Sequence, residues 1–285
     1  MGQIVAAAVV SHQPGIMAPE AARKAMSNGV DTTLVPGFAD LREGLDAARP
    51  DTLVIFDTHW FTTLEHVVAG AERYRGTYTS DELPRILADV EYDFPGAPEL
   101  GALAAEVASE RGVRLLNAEN PHIAMQYPPL NLLHFLHRGE GVLRVGTCQQ
   151  AERHNFLELG EVLAEATARS SSRVALLGAG GMSHRFPVMD ESAKHMAFGA
   201  EQVISEEARA IDERILDLWS RGDHAAVIDL YPEYSAFKPE GFFGHYLAIA
   251  GALGGRGFDA KGRRMSEYEN ALGTGQVHVW FDLPA

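Results

Sequence analysis

The sequence predicts an α/β fold, a single-domain sandwich over residues 1–285 with a central mixed β-sheet flanked by helices. Two observations predict it. Apolar runs of strand length, IVAAAVV, TLVIF, RVALLG and QVHVWFDL, alternate with helix-patterned segments. Three of those strand-like runs also end on a hydroxyl residue followed by histidine. In an open α/β sheet, ligands bind outside the carboxyl ends of the strands, so such histidines can share one pocket.

Taken in order, Ile4 to Val10 forms the first strand and closes on Ser11-His12, and Leu53 to Phe56 closes through Asp57 on Thr58-His59. Tyr74 to Pro84 carries Pro, Gly and aromatics without a period and reads as a loop. PELGALAAEVASERG is helical, Asn117 to Pro129 is again loop-like, and NFLELGEVLAEATARS is a second helix. Val174 to Leu177 is a strand that closes, through the glycine turn GAGGM, on Ser183-His184. Met196 to Arg221 has helical apolar spacing and reads as one long surface helix, Tyr231 to Phe243 reads as a loop, and QVHVWFDL is the last strand.

Composition narrows the function classes. With 46% hydrophobic and 22% charged residues the chain is not disordered. A net charge of −15, from 24 basic and 39 acidic residues, repels phosphate backbones and anionic lipid, so no nucleic-acid or membrane partner is expected. Cys148 is the only cysteine, which excludes an intrachain disulfide and a cysteine-based zinc site. No run approaches the roughly 18–20 apolar residues of a membrane span, and no basic leader precedes the first strand, so a cytoplasmic location is expected.

His12 and His59 need a third ligand to become a metal site. Glu240, in KPEGFFGH, is the best candidate, an acidic side chain between Pro239 and Gly241 beside two phenylalanines. Two imidazoles and a carboxylate on one face of an octahedron leave neighbouring positions open, as in non-haem Fe(II) oxygenases. Each histidine taken singly fits a hydrogen-bonded strand end as well. GAGGMS lacks the third glycine of a dinucleotide fingerprint, which leaves His184 free to act as general acid or base. His122, His154 and His245 lie in or near the expected pocket loops as substrate contacts, and His134 and His137 have plain helical spacing. His66, His195, His224 and His278 have no supporting context.

Several motifs together resemble the LigB-type class III extradiol catechol dioxygenases, and most of all their homoprotocatechuate (3,4-dihydroxyphenylacetate) 2,3-dioxygenase branch. They are VSHQPGI, LVIFDTHWF, YTSDELP, PGAPELG, SHRF, KPEG and GTGQVHVWFDLPA, spread over nearly the whole chain. The resemblance implies Fe(II) on His12, His59 and Glu240, with His184 as the acid/base that takes a proton from a catechol before O₂ opens the ring to a muconic semialdehyde-type product. It also implies a homo-oligomer. One segment departs from the wider family, where an Asp-His-Gly-Thr stretch carries a second histidine. Here Gln126-Tyr127-Pro128-Pro129 stands in its place and Tyr127 takes the histidine's position, as in the resembled branch and in aminophenol-cleaving relatives.

Other readings of the same residues remain. A Zn(II) hydrolase or lyase could use the His, His and Glu set, an aminophenol could replace the catechol, and the fold could serve as a scaffold. Arg85, Arg185 and Lys238 are candidate partners for a substrate carboxylate, and each also fits a solvated surface position.

Overall fold

The computed structural model describes residues 1–284, so Ala285, the last residue of the terminal motif, lies outside it. The chain runs β1 (Gln3–Val10), α1 (Glu20–Met26), α2 (Leu34–Ala48), β2 (Thr52–Thr62), β3 (His66–Ala69), β4 (Arg73–Tyr78) and β5 (Val90–Pro95). It continues through α3 (Pro98–Arg111), β6 (Leu115–Ala118), α4 (Tyr127–Leu136), β7 (Gly141–Cys148), α5 (Arg153–Arg169) and β8 (Arg173–Ala179). The last part holds α6 (Glu206–Ser220), α7 (His224–Tyr234), α8 (Gly244–Ala252), β9 (Gly262–Arg264), β10 (Glu269–Ala271), β11 (Thr274–Gln276) and β12 (His278–Phe281).

Eight strands form one mixed sheet in the order β6-β3-β7-β2-β8-β1-β12-β9. Strands β7, β2, β8 and β1 are mutually parallel, and β12 and β9 close one side antiparallel. Both faces of the parallel centre are covered, which is why its strands read as near-continuous apolar runs. The pleat sorts them by alternate residues. Ala7, Val9, Val54, Phe56, Val174 and Leu176 pack into the core beneath α3, α5 and α8, while Ala6, Ala8, Val10, Leu53, Ile55 and Leu177 face α2 and α4. Helix α8 is buried on every side, and its sequence GHYLAIAGA is apolar apart from His245 and the Tyr246 hydroxyl. It lies tight against α5, because a Cβ at Gly160 would run into the Ala248 carbonyl. Among the described residues no helix is long and apolar enough to cross a membrane.

Five elements differ from the sequence reading, one of them the expected loop from Tyr231, whose first residues, to Tyr234, are the last turn of α7. Tyr74 to Tyr78 is strand, paired antiparallel with β5 in a small second sheet, because Tyr74 and Tyr78 alternate inward with exposed neighbours. The helix expected from Met196 begins only at Glu206, where the Ser205 side chain accepts from the Ala208 amide and Glu206 and Glu207 fill the first turn. The expected loop through Pro129 ends at Tyr127, since Pro128 and Pro129 open α4, a position where a missing amide hydrogen costs nothing. The last strand is split into β11 and β12.

Strands β1, β2 and β8 are neighbours and end on the same edge, so the three hydroxyl-histidine exits lie side by side. In β2 the register against β7 jumps between Asp57 and Phe61, leaving Thr58, His59 and Trp60 without partners on β7. That bulge re-aims His59, a usual role of bulges next to sites.

Candidate metal centre

His12 follows the last residue of β1, and the local backbone is tied down from two directions. The Asn131 side-chain amide donates to the His12 carbonyl at 2.6 Å, and the Ser11 amide donates to Nδ1 of His278 at 3.1 Å. Ser11 Oγ also donates to Gln276 Oε1. The β2 bulge carrying His59 is shaped by Asp57, whose Oδ1 accepts the His59 and Trp60 amides at 3.0 and 3.2 Å. Thr58 Oγ1 donates to the Ala179 carbonyl at 2.8 Å and joins the bulge to β8.

Glu240 arrives from the segment before α8. Its amide donates to the Met182 carbonyl at 3.1 Å, and Oε2 accepts the Gly181 amide. The chain then turns through three successive left-handed residues, Gly241, Phe242 and Phe243, with φ of 53°, 56° and 58°. Gly241 also has no room for a side chain, since a Cβ would sit 2.6 Å from Thr58 Cγ2. The left-handed conformation costs each phenylalanine about 1–2 kcal/mol. Full burial of the Phe243 ring against Trp219, Tyr234 and Tyr246 offsets this, at about 1.5–3 kcal/mol.

These segments bring three imidazoles around one buried carboxylate oxygen. Glu240 Oε1 lies 3.0 Å from His12 Nε2, 3.2 Å from His59 Nε2 and 3.5 Å from His184 Nε2. The Tyr127 hydroxyl lies 3.1 Å from His59 Nε2, and Glu82 Oε2 is 3.4 Å from His59 Nδ1. Burial alone would push the Glu240 carboxyl up, but the charges of His12 and His184 and hydrogen bonds from His12 and His59 hold it well below the usual range. Burial likewise pulls His59 down, and its bonds to Glu240 and Glu82 outweigh that to bring it to about 10. Desolvation lowers His184, with Glu240 opposing, and raises the Tyr127 phenol well above its usual value.

The donor set fits one cation. Ligand atoms of His12, His59 and Glu240 all lie within 4.8 Å of one another. Two donors held about 2.0–2.2 Å from a common ion at a right angle stand ~3 Å apart, close to the His–Glu separations here. Glu82 against the far nitrogen of His59 supplies the carboxylate-to-histidine contact that commonly orients a metal-binding imidazole.

A cavity of about 490 Å³ opens over this cluster, with His12, Glu240, Tyr127 and His184 in its wall. Three histidines expected to touch a substrate lie elsewhere. His122 is exposed in the connection before α4, and His154 is exposed in the first turn of α5 beside Glu152. His245 is buried within α8, behind the Gly180 backbone, where desolvation lowers it to about 4.

Other residues that shape the site had been given no role. Asp212 is buried and accepts Ser183 Oγ at 2.6 Å, Tyr234 at 2.8 Å and Tyr268 at 2.6 Å, so it holds the residue before His184. Burial raises it to about 6 against those hydrogen bonds. Its signal was present, because Asp212 falls on the apolar stripe of Ala208, Ile215 and Leu216, where a carboxylate needs a buried partner. Glu82 lies in the YTSDELP motif. His278 carried no signal, since its role depends on pairing across β1 and β12.

On a doubly covered α/β sheet, two histidines at strand exits and a glutamate from the segment before α8 form a group that could hold a metal ion. The chain matches, over residues 6–282, the family described as the catalytic LigB subunit of aromatic ring-opening dioxygenase, and it belongs to that family. It is thereby a class III extradiol dioxygenase. It is 29% identical over 265 residues, 92% of this chain and 94% of the relative, to a protein of Escherichia coli named 3,4-dihydroxyphenylacetate 2,3-dioxygenase. It is 21% identical over 245 residues, 82% of this chain and 79% of the relative, to the β subunit of a 2-aminophenol 1,6-dioxygenase of a Pseudomonas species. Among solved structures, an uncharacterized Escherichia coli K12 protein shares the fold, with a TM-score of 0.65, 17% identity, and coverage of 98% of this chain and 100% of that one.

Proposed function

We propose that this chain binds Fe(II) through His12, His59 and Glu240 and opens the ring of a catechol with O₂ beside the diol, giving a muconic semialdehyde-type product. The observation that carries the reading is the gathering of three imidazoles around one buried carboxylate oxygen on the floor of a cavity. Bound there, Fe(II) would supply the path for electrons between diol and O₂.

The protein's own groups have distinct tasks. Burial favours neutral His184, which makes it competent to take a proton from a diol hydroxyl and return it later in the reaction. It is 3.5 Å from Glu240 and still partly exposed, so it reaches both the cluster and the cavity. Tyr127 keeps its proton and can donate a hydrogen bond to an oxygen near His59. Glu82 and Asp57 fix the His59 ring and backbone.

The test is anaerobic loading with Fe(II), and separately with Zn(II), followed by O₂ uptake and product absorbance with unsubstituted catechol and 2-aminophenol. Uptake matched one-to-one by a yellow ring-opened product, with Fe(II) only, supports the reading. No O₂ uptake with either substrate by fully iron-loaded protein would overturn it.

A further inference from the structure

The cavity is larger than the cluster of polar groups needs, and much of its wall is apolar. Besides His184 and Tyr127, its wall carries Met17, Ala22, Met26, Met196, Phe198 and Leu272. A cavity of about 150 Å³ is enough to hold benzene; at about 490 Å³ this one has room for a ring and a sizeable substituent.

Cations are scarce along it. Among the described residues Arg85 is the only lysine or arginine in the cavity wall, and it is exposed, three residues from Glu82 in sequence. Arg185 turns to the Ala236 carbonyl at 3.0 Å, and neither it nor Lys238 lines the cavity. Next to His59 the surface adds Asp81 beside Glu82, which repels an anion further. A carboxylate seated among methionine and phenylalanine side chains loses its hydration, and the cation within the wall, Arg85, is exposed to solvent and close in sequence to the Glu82 carboxylate.

We infer that the apolar end is a subsite for an uncharged substituent, so that the enzyme prefers alkyl- or aryl-substituted catechols to carboxylated ones. The inference rests on the extradiol reading and names its substrate class. Each methylene buried there favours binding by about fourfold. Three methionines in the wall let the subsite accept both flat and branched groups, because a thioether chain repacks readily.

The experiment compares kcat/KM of the iron-loaded enzyme for 2,3-dihydroxybiphenyl, 4-tert-butylcatechol, unsubstituted catechol and 3,4-dihydroxyphenylacetate. Binding of the same four is measured anaerobically by calorimetry. The apolar pair should exceed 3,4-dihydroxyphenylacetate by about tenfold or more in both measurements, the gain expected of two or three buried methylenes. Ala22→Glu should cut the ratio of 2,3-dihydroxybiphenyl to catechol by about the same factor. Preference for 3,4-dihydroxyphenylacetate, removed by Arg85→Gln, would overturn the inference while leaving extradiol cleavage standing. If no diol is cleaved, the extradiol reading fails. The anaerobic affinities then still decide the subsite, and tighter binding of the carboxylated ligand would overturn it.

Discussion

The floor and the mouth of the cavity are built on opposite plans. On the floor, His12, Glu240 and Ser11 are buried, and their backbones are tied to Asn131, Met182 and His278. At the mouth, Ile86, Phe186 and Met196 are exposed apolar side chains, and Arg85 is exposed among them. The difference separates two tasks. A reacting centre needs donors held to fractions of an ångström by supporting hydrogen bonds, whereas a substituent pocket needs only volume and the right polarity.

Removing a floor carboxylate should break the contrast most severely. Glu240→Ala is expected to lower Fe(II) affinity by more than about 100-fold, beyond what loss of an outer partner costs, and to abolish turnover. Metal analysis after gel filtration checks it. His184→Ala should keep its iron and lose about 10²–10⁴-fold in kcat, which anaerobic metal analysis and O₂ uptake on the same sample would show.

The scaffold beneath the floor gives a smaller, pH-linked effect. His278 accepts from the Ser11 amide and donates to the Leu34 carbonyl, and burial lowers it to about 3. His224 is lowered to about 4, again by burial. Between those values and the unfolded value near 6.5, the unfolded chain binds more protons, so unfolding free energy rises with pH there. The contribution of these two histidines is full above about pH 6.5 and falls by a few kcal/mol as pH drops toward 4, while Asp212, raised to about 6, works in the opposite sense between about pH 4 and 6. His278→Leu leaves the Ser11 amide unpaired and should cost about 1–3 kcal/mol while flattening that dependence, as denaturant titrations at several pH values would reveal. Smallest of all, His122→Ala and His154→Ala should change stability by no more than about 0.5 kcal/mol and leave turnover within about twofold.

The floor was legible in the sequence because strand order and side-chain period are local signals. A hydroxyl-histidine pair after an apolar run marks a strand exit, and three such exits on parallel neighbours must meet. The bulge that turns His59 inward was not legible, because it exists only as a mismatch between β2 and the distant β7. Glu240 could be named by its setting, but the left-handed turn after it shows in the sequence only as a single glycine. The mouth was read least well. Its wall joins α1, the connection after β4 and the segment before α6, and proximity in sequence placed His122, His154 and His245 there when tertiary packing did not.

The most direct test of the account is a crystal structure of anaerobically iron-loaded protein with anomalous diffraction at the iron edge. The expected result is a single strong peak within bonding distance of His12 Nε2, His59 Nε2 and a Glu240 oxygen, with His184 near it but unbonded. A peak bound by His184 in place of one of these, or lying away from Glu240, would contradict the account.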